Sequence, residues 1–370
     1  MRNNVRTKIA GLLLAGVAML LAACAPVQQS VKQEVRELVY PAPPDEPRFV
    51  YERTIRGSAD VVPVDAEFNL RSALTGERQI SEGLSKPYAV AVHRGRIFVS
   101  DSAERVVKVF DIPQGRYFKI GADDDGALVK PLGIDVDGAG NLYVADATAK
   151  EVKIYTRDGK FLRKISGAKL FDRLSSVTVD RAGTRLYVVD IGGVSSEQHR
   201  VLVFDAQSGK HLYDIGKRGI GAGEFNLPRD VAVGKEGRLY VVDGGNFRVQ
   251  IFDNQGKHLK SFGSIGRQLG NFARPKEIAA DAEGNVYVVD TAFGNFQIFN
   301  PDGELMMFAG DRSEQDGPGR YMLPSGISVD EDGRVYMVDQ WFRKVDVFRP
   351  YRMKPDEGYL GMRPKAATKR

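Results

Sequence analysis

"RLYVVDGGNFRVQIFDNQGKHLKSFG", residues 238–263, drives an aromatic and β-branched strand into an acid, turns, resumes as an alternating strand and turns again. Runs of Val, Tyr, Phe and Ile broken by Gly, Asn and Asp read as antiparallel hairpins. The stretch recurs along the chain. "RIFVSD" ends at Asp101, "NLYVAD" at Asp146 and "RLYVVD" at both Asp190 and Asp243, then "NVYVVD" at Asp290 and "RVYMVD" at Asp339. Self-similarity at intervals of 44 to 53 residues marks a repeat architecture. Within each copy a strand such as "DVAV" (230–233) leads through "GKEGR" (234–238) to the "YVVD" strand. "RVQIF" (248–252), the turn "DNQGK" (253–257) and "HLKSFG" (258–263) complete it. Four strands per copy and six copies predict an all-β, six-bladed β-propeller.

Between copies lies a segment G-x-(aromatic)-x-x-P: "GEFNLP" (223–228), "GNFARP" (270–275), "GRYMLP" (319–324) and a weaker "GALVKP" (126–131). With these segments the chain resembles NHL-repeat propellers from about Lys86 to Phe348. Blade three departs from the pattern, with Leu174 at the proline position and an insertion "GGVSSEQHR" (192–200). Blade six stops after "KVDVF" (344–348), and "PRFVYERTIRG" (47–57) reads as its detached outer strand. That strand is expected to close the ring and protect the sheet edge. Residues 48–349 are therefore read as the propeller: closing strand 48–57, connection 58–85 with a short helix in 65–77, blades 86–349. "YPAPPDEP" (40–47) reads as a stiff extended spacer, and 350–370 as a basic tail.

Residues 1–23 have the form of an export signal: Arg2, Arg6 and Lys8, an apolar run from Ile9 to Leu20, then "LAAC" (21–24). The motif resembles a bacterial lipobox, which implies cleavage before Cys24, acylation of its sulfur and a lipidated tether over 24–47. Ala25 where an inner-membrane retention signal resembles Asp favours the outer membrane. Cys24 is the only cysteine, so an exported chain gains nothing from disulfides. Of the net +5, three cations fall in the leader; the tail holds six against two acids, which leaves the body at −2. Export and a near-neutral body exclude a nucleic-acid role.

The six strand-end aspartates occur in every blade, so they are expected to serve the fold by accepting turn amides. Function is expected where blades differ. At the channel-entrance position stand Ala89, Gly133, Ser176, Asp230, Glu277 and Gly326. Asp230 and Glu277 are the candidate metal ligands, for calcium; Arg229 and Lys276 beside them offer neutralisation instead, and two carboxylates are few for a cation that takes six to eight oxygens. Of the four histidines only His199 is placed on the rim, too few for a zinc site of the amidating-lyase kind or a Ser-His-Asp set. Rim loops from blade four onward carry Phe247, Arg248, Phe293, Phe296, Trp341 and Arg343, residue types enriched in binding hot spots.

The expected function is a non-catalytic, membrane-anchored scaffold for an envelope protein or peptide, or for an anionic polymer, with no resident cofactor. The alternative is a calcium-dependent, lactonase-like hydrolase or lyase at the channel mouth. "PPDEPRF" (43–49) also resembles propeller lipoproteins found beside multihaem cytochromes, which implies a partner in such an assembly; the chain has no C-x-x-C-H of its own.

Overall fold

The computed structural model describes residues 37–361, apart from 65, 77–79, 168–169 and 194. The signal peptide, Cys24, the tether to residue 36 and the tail from 362 lie outside the described residues. The remainder is a six-bladed β-propeller. Innermost strands run Pro87–His93, Pro131–Val136, Leu174–Val179, Pro228–Val233, Pro275–Ala280 and Pro324–Val329. Each packs on the next, and the sixth packs on the first. Blade four continues outward with Leu239–Asp243, Arg248–Phe252 and His258–Phe262, all antiparallel, and the other blades repeat that order.

Blade six is assembled from both ends of the propeller. Phe49–Ile55 pairs with Lys344–Pro350, from Phe49 opposite Pro350 to Ile55 opposite Val345. Val50 and Ile55 are buried, and Glu52 meets the fully buried Arg334 at 2.8 Å. The Pro-rich stretch differs from the spacer expected of it. Val39–Tyr40 pairs with Phe49 and Val50 as a fifth strand, and the Arg48 amide donates to the Tyr40 carbonyl at 2.7 Å. Tyr40 packs edge-on against Phe348, and that burial draws the segment back onto the blade. A helix, Ala66–Thr75, occupies the connection to blade one. The first part of the tail folds too: Leu360 is buried, and Arg334 donates to the Glu357 carbonyl.

The inter-blade segment works as a plug and seat. Gly263, at φ +80°, ends the outer strand of blade four, and a Cβ there would lie 2.3 Å from the Phe272 ring. The glycine is thus the floor on which the aromatic of "GNFARP" rests. Phe272 is fully buried among Phe262 and Phe299.

The strand-end aspartates hold the entry to each innermost strand. Asp290 accepts from the amides of Ala273 and Arg274 at 2.8 and 3.0 Å. Asp101 does so from Ser85 and Lys86, Asp146 from Val129 and Lys130, Asp190 from Asp172 and Arg173, and Asp339 from Met322 and Leu323. Asp243, the acid that ends "RLYVVD" of blade four, is the exception. It takes the Asn226 amide at 2.6 Å, while the Leu227 amide goes to His199 Nδ1 at 3.1 Å. Every clamp therefore fixes the two residues ahead of an innermost strand.

Candidate binding face and channel

Because the clamps hold those residues by their backbone, their side chains are delivered to one face, around the end of the channel. Lys86, Lys130, Arg173 and Arg274 each precede an innermost strand, and all four are exposed. Arg229 and Lys276 are the second residues of the strands in blades four and five. Among the described residues no carboxylate lies within 4.0 Å of any of these six cations. Lys276 Nζ stands 4.5 Å from the centroid of the Tyr88 ring. Burial lowers its pKa to about 8, against Glu277 and with help from Arg274 and Arg229. The Arg229 guanidinium is likewise depressed, by burial first and then by Arg274 and Arg173. These cations feel one another's charge.

Inside the ring the charge is negative in name but largely spent. Asp230 Oδ1 accepts from its neighbour Val231 and Oδ2 from Ile278 of the next blade, both at 2.9 Å. Asp135 does the same for Val136 and Val179, at 2.8 and 2.9 Å. The innermost strands are sheet edges, so their amides need acceptors, and these carboxylates provide them. Hydroxyls serve the edge carbonyls in the same way: Thr178 donates to Val231 and Ser325 to Tyr88. Burial raises Asp135 to about 7 and Asp230 to about 6. Glu277 is pushed well up, by burial and then by Asp230, and its Oε1 has no hydrogen-bond partner.

Below this ring a cavity of about 170 Å³ runs between the innermost strands to the opposite mouth, at Asp137, Arg181, Glu331 and His93. The calcium reading does not fit this donor set. Asp230 has given both oxygens to amides, and no group of three or more His, Cys, Asp or Glu is placed to hold a metal among the described residues.

The other expected site residues divide. Trp341 is 63% exposed, at the tip of a loop whose Phe342 amide donates to Asp339 at 2.7 Å. Arg343 beside it is exposed, and Phe293 is half-buried. Phe296 is corrected: it points inward from a strand, fully buried against Phe348. Arg248 is corrected too, since it pairs with Asp243 at 2.9 Å and donates to the carbonyls of Gly221 and Glu224. Phe247 packs against the core between blades four and five. His199 is buried rather than on the rim, with Nε2 3.3 Å from the Gly193 carbonyl. Sequence reasoning missed the cation cluster and Asp135. The signal for the cations lay in comparing, across blades, the positions just before and just inside each innermost strand.

The NHL repeat family model matches residues 225–252, the segment that holds the plug and the clamp of blade four. NHL repeat-containing protein 3 of Mus musculus is 37% identical over 84 residues, which is 22% of this chain and 23% of that protein. A gluconolactonase of Xanthomonas campestris superposes with a TM-score of 0.54 at 15% identity, covering 82% of this chain and 99% of that one. A streptogramin B lyase gives 0.52 at 13% identity over 74% and 96%. At that identity the likeness is one of fold.

Proposed function

We propose that the chain is a non-catalytic binding scaffold, held at a bacterial envelope membrane by an acylated Cys24, with the outer membrane favoured. Its partner is an envelope protein or peptide that docks on the face bearing the clamped loops. One observation carries this reading. That face exposes large apolar side chains in loops whose backbones are fixed: Trp341 at 63%, Ile265 at 70% and Ile220 at 81%. Preorganised loops lose little entropy on binding, and an exposed tryptophan beside an arginine is a hot-spot composition. No helix among the described residues is long and apolar enough to cross a membrane, so on this reading the lipid is the anchor. A multihaem cytochrome assembly is one such partner.

The test is a cross-linked pull-down from intact envelopes with wild type and a Trp341→Ala, Arg343→Ala double variant. Both should melt alike, because neither side chain enters a blade core. The variant should lose its partner, with an affinity loss of about thirtyfold, or roughly 2 kcal/mol. Retention of every partner by a stable variant sinks the face. An unmodified Cys24 in the N-terminal peptide by mass spectrometry sinks the anchor.

A further inference from the structure

Several buried cations elsewhere in this propeller have counter-charges. Arg96 meets Asp111 at 2.6 Å, Arg334 meets Glu52 at 2.8 Å and Lys344 meets Asp346 at 2.9 Å. The channel mouth differs: Arg173, Arg229 and Arg274 are exposed there and Lys276 is half-buried. Arg173, Arg229, Arg274 and Lys276 come from three adjacent blades, at or just ahead of the start of each innermost strand, and Arg229 and Lys276 both feel the charge of their arginine neighbours. None has a described carboxylate within 4.0 Å. We propose that this mouth is a binding site for a compact, multiply charged anion, one carrying two or more phosphate or carboxylate groups.

Three features argue that the site is built for a ligand. The cations are positioned at the expense of the fold: clustering like charges destabilises a protein unless something neutralises them. The acids beside them do not. Asp230 has both oxygens on edge amides, and Glu277 is held toward its neutral form by burial. The backbone under the cluster is also immobilised in advance. The amides of Arg173 and Arg274 are held by Asp190 and Asp290, and the Arg229 carbonyl accepts from Ser175 at 3.0 Å. A guanidinium offers a planar pair of donors to phosphate or carboxylate. Three of them plus one ammonium, over a channel end lined by Tyr88, suit a small polyanion better than a single charge. Lys86 and Lys130 extend the field round the ring at the equivalent positions of blades one and two. The proposal shares the clamped face with the partner reading but does not rest on it, since it invokes neither Trp341 nor Arg343.

The experiment titrates the full-length protein with sodium tripolyphosphate, citrate and acetate by calorimetry at low and at moderate salt, beside an Arg229→Gln, Arg274→Gln double variant. Tripolyphosphate or citrate should bind at one site per chain, with affinity falling as salt rises, and acetate should not bind measurably. Whichever of the two binds more tightly identifies phosphate or carboxylate as the ligand chemistry. The double variant should lose at least tenfold in affinity while its melting temperature without ligand stays equal or rises, because a repulsion has been removed. A variant that melts lower and binds as before would make the arginines structural and overturn the proposal. So would failure of both polyanions to bind wild type. An oligonucleotide binding more tightly than tripolyphosphate and losing affinity in the same variant would replace the compact anion with an extended phosphate chain. Should the arginine variant fail to fold, Lys276→Gln supplies the same comparison from a side chain that no clamp engages.

Discussion

Two layers of acids lie a few residues apart in this ring. The clamp layer, Asp101 through Asp339, repeats in every blade. The channel layer is irregular: Ala89, Gly133, Ser176, Asp230, Glu277 and Gly326, with Asp135 one step below. Both layers accept backbone amides from buried positions. In the clamp layer each carboxylate except Asp243 gathers several amides of its own blade, as Asp290 does with Ala273, Arg274, Ala292 and Phe293. In the channel layer Asp135 and Asp230 each reach only one amide of their own strand and one of the next blade, while Glu277 takes only the Ile327 amide and leaves an oxygen unpaired. Irregularity among repeats therefore does not by itself signal chemistry. What is unspent here is the cationic rim outside both layers.

The largest effect should come from removing the element that makes repetition close on itself. Deletion of residues 38–57 strips blade six of two strands and leaves Arg334, fully buried, without Glu52. Arg334 keeps Asp332 at 3.4 Å, so the loss comes mainly from the burial of Phe49, Val50 and Ile55, at about 1.5–3 kcal/mol for each side chain. The variant should melt about 10 °C lower or more, or fail to fold, by differential scanning calorimetry. An unchanged melting point would mean that the ring closes without this strand.

A smaller pair of changes separates the two layers. Asp290→Ala orphans several amides at once, at about 1–3 kcal/mol for each left buried and unpaired, so a loss of about 3 kcal/mol or more is expected in urea melts. Glu277→Gln keeps an acceptor for the Ile327 amide and removes a strained charge. It should lie within about 0.5 kcal/mol of wild type, or be stabilising. Equal losses from the two would erase the distinction between the layers.

The same contrast decides how much of the molecule is legible in the sequence. Strand number, blade count and the closing strand are legible because each blade repeats one pattern of strands, turns and a terminal Asp. The structural role of those aspartates is legible as well, though not that they chiefly hold the residues ahead of the innermost strand. His199 misleads because an insertion in the blade-three loop places it on the rim, whereas the structure buries it. In fact it replaces the second clamp of blade four, and no residue pattern announces that. Phe296 and Trp341 look alike as rim aromatics, yet Phe296 faces inward from a strand and Trp341 tips a loop. Arg229 and Lys276 read as neutralisers of Asp230 and Glu277 because they are chain neighbours. Successive strand residues point to opposite sides, so neither cation forms an ion pair with its neighbouring acid within 4.0 Å, although Lys276 and Glu277 still feel each other's charge.

The mildest test reads the channel layer through pH. Asp135 titrates at about 7 and Asp230 at about 6, both raised by burial. Asp330 at the opposite mouth is raised to about 6, again by burial. An unfolded aspartate titrates near 4, so between about pH 4 and pH 7 the folded chain holds protons that the unfolded chain has released. Stability must then fall as pH rises through that window and level off above it. The groups that are lowered instead, such as Glu331 and Glu104, lose their contribution only as pH falls through the lower carboxylate range. His258, lowered by burial and then by Arg248, opposes the trend. Lys276 acts higher, adding stability as pH rises from about 8 toward the ordinary lysine range. The net expectation is a chain more stable at pH 5 than at pH 7.5, with a higher melting temperature at the lower pH. Asp135→Asn removes one titrating group while keeping one acceptor for the edge amides. It should cost most at pH 5, where wild type holds its proton, and least at pH 7.5. A wild-type profile that is flat or rising from pH 5 to pH 7.5 would show that these carboxyls are ionised in the folded ring. The channel would then carry real negative charge beneath the arginines.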